Sequence, residues 1–142
     1  MLFTFRFEGK KYAYDSVTGA IIQPSALEFK MFGAIQLPLT RSCPTGLRYE
    51  LAKFDSMDVE ETYNGIYAQF EAGVLYGTED GVVRVRTEGD NSFASTALMA
   101  AALGEAFSKV DGDIQFEALG QNAEDAQKVA CEVAARLGKK IG

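Results

Sequence analysis

The sequence predicts an α+β fold: a small winged helix-turn-helix-like domain, with a three-stranded sheet and three helices, followed by a strand-helix-strand-helix unit. Three observations carry this. The chain opens on short alternating segments, with Phe3, Phe5 and Phe7 spaced for one face of a strand. Over residues 58–77, Val59, Tyr63, Ile66, Phe70 and Val74 fall into one helical stripe. Beyond Gly89 aromatics thin to Phe93, Phe107 and Phe116, and alanine dominates. The predicted division is residues 1–87 and residues 88–142, the second unit packed on the first or on a dimer partner.

The opening strand turns at Glu8-Gly9-Lys10 into a second strand, residues 11–14. A second turn at residues 15–19 leads to a third short strand, Ala20, Ile21 and Ile22. Pro24 and Ser25 start a helix whose buried side is Leu27, Met31, Ala34 and Ile35, with Phe32 contributing. Residues 36–46 form a loop, and a short helix follows over residues 47–54. The next helix is capped by Ser56 or Asp58, with Gly73 in its last turn and Gly77 as its stop.

Residues 82–87 alternate as a strand, residues 94–107 have high helix propensity, and residues 113–119 alternate again. A last helix over residues 123–137 turns Ala126, Val129, Ala130, Val133 and Leu137 inward, and Cys131 beside that stripe is expected in the core. The order implies a parallel pair of strands joined through a helix. Two parallel strands cannot cover themselves, so this unit must lean on the first half, a second copy or another protein; a homodimer or larger complex is expected.

Composition narrows function. The net charge of −6 argues against a phosphate backbone as main partner, so no nucleic-acid binding is expected. No apolar run is long enough to span a bilayer and no signal-peptide pattern opens the chain, so a cytoplasmic protein without membrane association is expected. Histidine is absent, which removes imidazole bases and His metal sites. Cys43 and Cys131 lie outside any CxxC motif and read as free thiols. No metal, no other cofactor and no catalytic residue is expected.

Two loops invite comparison with anion sites. Gly89-Asp90-Asn91-Ser92 and Leu119-Gly120-Gln121-Asn122 each lie between a strand and a helix. Neither matches a phosphate-loop pattern, and Glu88 and Asp90 would repel phosphate, so Asn91 or Ser92, and Asn122, read as helix caps.

The first half resembles a known family. Phe5, Phe7, Gly9, Asp15, Thr18, Gly19 and Ala20, then Glu60, Glu61, Gly73, Leu75 and Tyr76, resemble the N-terminal PqqD-like peptide-recognition domain of radical SAM peptide maturases of the SPASM/SCIFF type. The second half resembles a reduced start of the radical SAM barrel but lacks the CxxxCxxC motif, so no iron–sulfur cluster is implied. The resemblance implies a non-catalytic peptide- or protein-binding module, associated with a peptide-maturation system. It would take a leader peptide as an added strand beside a helix. The implied peptide-binding residues are Ala20, Ile21, Ile22 and Gln23 at the third strand, with Tyr63, Tyr67 and Glu71 on the helix. On this reading Ile21→Lys or Tyr67→Asp abolishes binding in a folded protein. The alternatives are a winged helix-turn-helix DNA-binding regulator, disfavoured because residues 47–75 carry only Arg48 and Lys53 as cations, and a small enzyme with an anion site at Asn91 or Asn122.

Overall fold

The computed structural model describes residues 1–142. Strands β1 (Leu2–Phe7) and β2 (Lys10–Asp15) are joined by Glu8 and Gly9, both at positive φ (50° and 77°). That pair gives the two-residue hairpin turn whose twist matches the flanking strands. The register runs from Phe7 opposite Lys10 to Leu2 opposite Asp15. Strand β3 (Ile21–Ile22) pairs antiparallel with β2, giving the order β1-β2-β3. Side-chain alternation then divides the residues between two cores. Phe3, Phe5, Tyr14 and Ile21 enter one; Leu2, Ala13 and Ile22 pack against the other.

The second core lies under α1 (Ala26–Ala34), α2 (Thr45–Glu50) and α3 (Ser56–Glu71). A capping box starts α1: Ser25 Oγ accepts from the Glu28 N–H and the Glu28 carboxylate accepts from the Ser25 N–H. The cap of α3 is Asp55, ahead of the Ser56 and Asp58 expected; its Oδ1 accepts from the N–H groups of Met57 and Asp58. The helix stops at Gly73 (φ 75°), not Gly77. Gly73 donates to Phe70 O and Val74 to Gln69 O, which closes the helix end in a Schellman turn. Val74 therefore leaves the predicted stripe, and Phe70 is left 36% exposed.

Strands β4 (Val82–Arg86) and β5 (Gln115–Leu119) are parallel and connected through α4 (Thr96–Phe107), with α5 (Ala123–Arg136) following. Ser95 caps α4, not Asn91 or Ser92. Asn91 sits at φ 59° and Phe93 N–H donates back to Arg86 O, so the chain is still turning there. Asn122 does precede α5, without a side-chain capping bond. The buried stripe of α5 is Ala126, Ala130, Val133 and Ala134. Leu137 lies past the last turn and Cys131 on the polar side; both are exposed, against expectation.

The parallel pair leans on the first half. The aromatic face of the antiparallel sheet shares one cluster with Val83, Val85 and the inward faces of α4 and α5. The turn between β2 and β3 is sewn to β4 as well: Arg84 N–H donates to Ser16 O (2.7 Å) and Arg86 N–H to Gly19 O (3.0 Å). Gly19 permits this approach, because it sits at φ 79° and a Cβ there would lie 3.0 Å from the Val85 carbonyl carbon. The predicted boundary at residue 87 is thus spanned by a single hydrophobic cluster.

Candidate peptide-binding edge

Of the seven residues singled out from the sequence, Ile22, Tyr63 and Tyr67 share the second hydrophobic cluster, whereas Ile21 belongs to the first. Ala20 and Ile21 are buried, Ile22 is half-buried and Gln23 is exposed. Tyr63 is buried in the second core, where its hydroxyl donates to Thr40 O (2.5 Å) and accepts from Thr40 N–H (3.3 Å). Tyr67 is half-buried, its ring 5.7 Å from that of Phe70, and Glu71 is exposed. Of these, Tyr63 alone lines any of the five principal clefts. Ile21 belongs to the core it shares with α4 and α5, so a lysine there strikes the fold and is no clean probe of binding.

Backbone polarity separates the two edges of the sheet. Ser16 N–H donates to Met1 O and Asp15 N–H to Ala20 O. With the Phe7–Lys10 pair closing the hairpin, this places the backbone groups of the odd-numbered β1 residues toward β2. Ile21 then points its N–H outward from β3, and that N–H is already donated to Asn91 O at 3.0 Å. The outer edge of β3 is two residues long and closed at its first donor.

Strand β1 is different. It is six residues long, pairs only with β2, and turns the N–H and C=O groups of Leu2, Thr4 and Arg6 outward. At its Leu2 end lies an apolar cleft of about 350 Å³ walled by Leu2, Phe32, Ile35, Leu37 and Tyr76, with Glu79 at its rim. At its other end Arg6 and Lys11 stand directly opposite each other. Both lie over the Phe29 ring of α1, the Arg6 Cζ 5.7 Å and the Lys11 Nζ 5.6 Å from its centroid. Arg6 and Lys11 take part in none of the chain's ion pairs. Sequence reasoning missed this edge, although the hairpin register puts two cations opposite each other, a pairing that is unfavourable without an anion.

A second cleft, about 320 Å³, adjoins the first across Ile35 and Leu37 and is lined by Leu39, Pro44, Leu47 and Tyr63. Leu37 between them is 65% exposed.

Several other ionisable groups are built into the packing of the fold. Asp15 is fully buried; its Oδ1 accepts from the N–H groups of Val17 (2.8 Å) and Thr18 (3.1 Å), and its Oδ2 from Gly77 N–H (3.2 Å). Burial pushes the Tyr14 phenol well above its ordinary range, reinforced by Asp15, and the Tyr14 hydroxyl donates to Arg84 O. Tyr76 is pushed up by the same causes in the same order, with Tyr63 adding to them. The Arg84 guanidinium, hydrogen-bonded to Asp80, holds that carboxyl below its usual range. Cys43 is buried beside the Pro44 carbonyl. No three His, Cys, Asp or Glu side chains are grouped to hold a metal ion.

The alternative sites fare as follows. Arg48 is engaged by Glu60 at 2.8 Å, which spends one of the two cations a recognition helix would have offered. Asn91 O is used by Ile21, and Asn122 N–H donates to Thr87 Oγ1 at 3.3 Å. The cleft beside Asn122, about 170 Å³, contains Asp125, whose charge opposes an anion. No helix is long and apolar enough to cross a membrane. No protein-family model matches the chain, and no curated protein matches its sequence.

Proposed function

We propose that the chain is a non-catalytic peptide- or protein-binding module that takes an extended segment as an added strand on the outer edge of β1. The resemblance of the first half to a peptide-recognition domain of radical SAM maturases suggests the mode of binding. The observation that carries the reading is the open edge itself: Leu2, Thr4 and Arg6 present alternating donors and acceptors beside an apolar cleft. Strand addition draws its affinity from main-chain hydrogen bonds and its selectivity from pockets for alternate side chains. At about 0.5–1.5 kcal/mol net per bond, plus about 1.5–3 kcal/mol for one buried large apolar side chain, the gain is a few kcal/mol after the cost of association. A net gain of about 4 kcal/mol corresponds to about millimolar affinity, and each further 1.4 kcal/mol tightens binding about tenfold. The third-strand site implied by the resemblance offers less, since its outward donor at Ile21 is already bonded.

The test is Thr4→Pro. Proline deletes an outward N–H and crowds the edge while sparing the bonds to β2, the arrangement in which edge strands tolerate proline. Peptides selected on the intact protein should lose at least tenfold in affinity for the Thr4→Pro variant, read by fluorescence anisotropy. Equal affinity in a folded variant would remove β1 as the binding edge.

A further inference from the structure

We infer that the segment added to β1 carries a large apolar side chain and a carboxylate four positions apart, the first seated at the Leu2 cleft and the second at the Arg6–Lys11 pair. This inference rests on the strand-addition reading and makes it specific. The geometry follows from the pleat. Leu2, Thr4 and Arg6 point to the α1 face of the sheet, where Leu2 packs against the second core and Arg6 lies over Phe29. A strand added in register puts its facing residues on that same side, directly opposite. The residue facing Leu2 meets the cleft of Phe32, Ile35, Leu37 and Tyr76. The residue facing Arg6 lies four positions away, about 13 Å along the strand, whichever way the segment runs.

The chemistry of that far end is unusual for this protein. The chain as a whole carries −6, yet at this edge two cations oppose each other over one ring with no acidic partner. A carboxylate from outside relieves the repulsion and gains both charge-assisted hydrogen bonds and Coulomb attraction. A second copy of this chain fits less well. Antiparallel pairing about Thr4 would set Arg6 of each protomer against the apolar cleft of the other, a cation facing Leu2, Phe32 and Ile35, where the one acid at the rim, Glu79, is already paired with the Met1 ammonium. The complementary occupant is therefore a heterologous acidic strand.

The probe is a decapeptide of Thr, Val and Ser that carries Phe and Glu four positions apart, in both orders. It is titrated against the full chain by fluorescence anisotropy, beside versions with Lys for Glu and Ser for Phe. In the better order the Glu peptide should bind at least tenfold more tightly than either altered version, and added salt should weaken it. The doubly reversed variant Arg6→Glu/Lys11→Glu should invert the preference and select the Lys peptide. If the preference does not invert in that variant, shown folded by circular dichroism, the acidic assignment is overturned while strand addition stands. If no peptide, acidic or basic, responds to Thr4→Pro, the strand-addition reading falls instead. A dimer in light scattering that Thr4→Pro dissolves would replace the acidic strand by a second copy and overturn the inference.

Discussion

The two edges of the three-stranded sheet end in opposite conditions. At β3 the outward Ile21 N–H is bonded to Asn91, and the preceding turn is fastened to β4 by donors from Arg84 and Arg86. Asp15 fastens that same turn from within and ties it to Gly77, in the connection from α3 to β4. At β1 the Leu2, Thr4 and Arg6 backbone is left unpaired along six residues. Long open edges invite association with other chains, and proteins commonly cover or interrupt them. Here one edge is locked by contacts distant in sequence while the other is left open, and that difference is what singles out β1 as the proposed binding edge.

Breaking the locked edge should cost most. Asp15→Ala removes the acceptor of three backbone N–H groups and should lower stability by about 3 kcal/mol or more, read by urea denaturation at neutral pH. Tyr14→Phe comes next. It takes the phenolic donor from Arg84 O and should cost about 1–3 kcal/mol. Its pH signature sharpens the comparison. Below about pH 10 Tyr14 is protonated in both states, and its contribution is fully present. Above that, the unfolded chain releases the proton while the folded chain holds it, so stability falls as pH rises toward the raised native value. In Tyr14→Phe that alkaline loss should shrink, leaving the part due to Tyr76. Thr4→Pro at the open edge should have the smallest effect on folding, within about 1 kcal/mol of wild type in the same titration. A large loss there would mean that the β1 edge is also structurally engaged.

Much of the fold was legible locally. Alternation located the first hairpin, helix propensity located α4, and the strand-helix-strand order anticipated the parallel pairing of β4 with β5. Apart from Cys131, exposed in the middle of α5, the errors in the elements fell at their ends, where neighbouring residues compete for one role. Asp55, Ser56 and Asp58 are all competent caps, and Gly73 and Gly77 are both competent stops; tertiary geometry selected Asp55 and Gly73. The site was less legible for a physical reason. Whether β3 or β1 is the free edge depends on where Asn91 O and the Arg84 and Arg86 N–H groups land. Those contacts lie about seventy residues from their partners. No periodicity within residues 1–23 encodes them. The cation pair was the exception, since it needed only the hairpin register.

The partnership of β1 with α4 also sets an order on folding. The segment LFTFRF carries strong strand propensity, no proline and a single charge, Arg6, which are the features of an aggregation-prone stretch. Its aromatic side, Phe3 and Phe5, joins a cluster that takes in α4 and extends along the chain to Ala134. A nascent chain therefore exposes the aromatic face of its first strand, beside the edge that stays open in the folded protein, until α4 has emerged. Closure over such separations is intrinsically slow. Arg6 thus guards the segment during synthesis, as the one charge that interrupts it before α4 arrives.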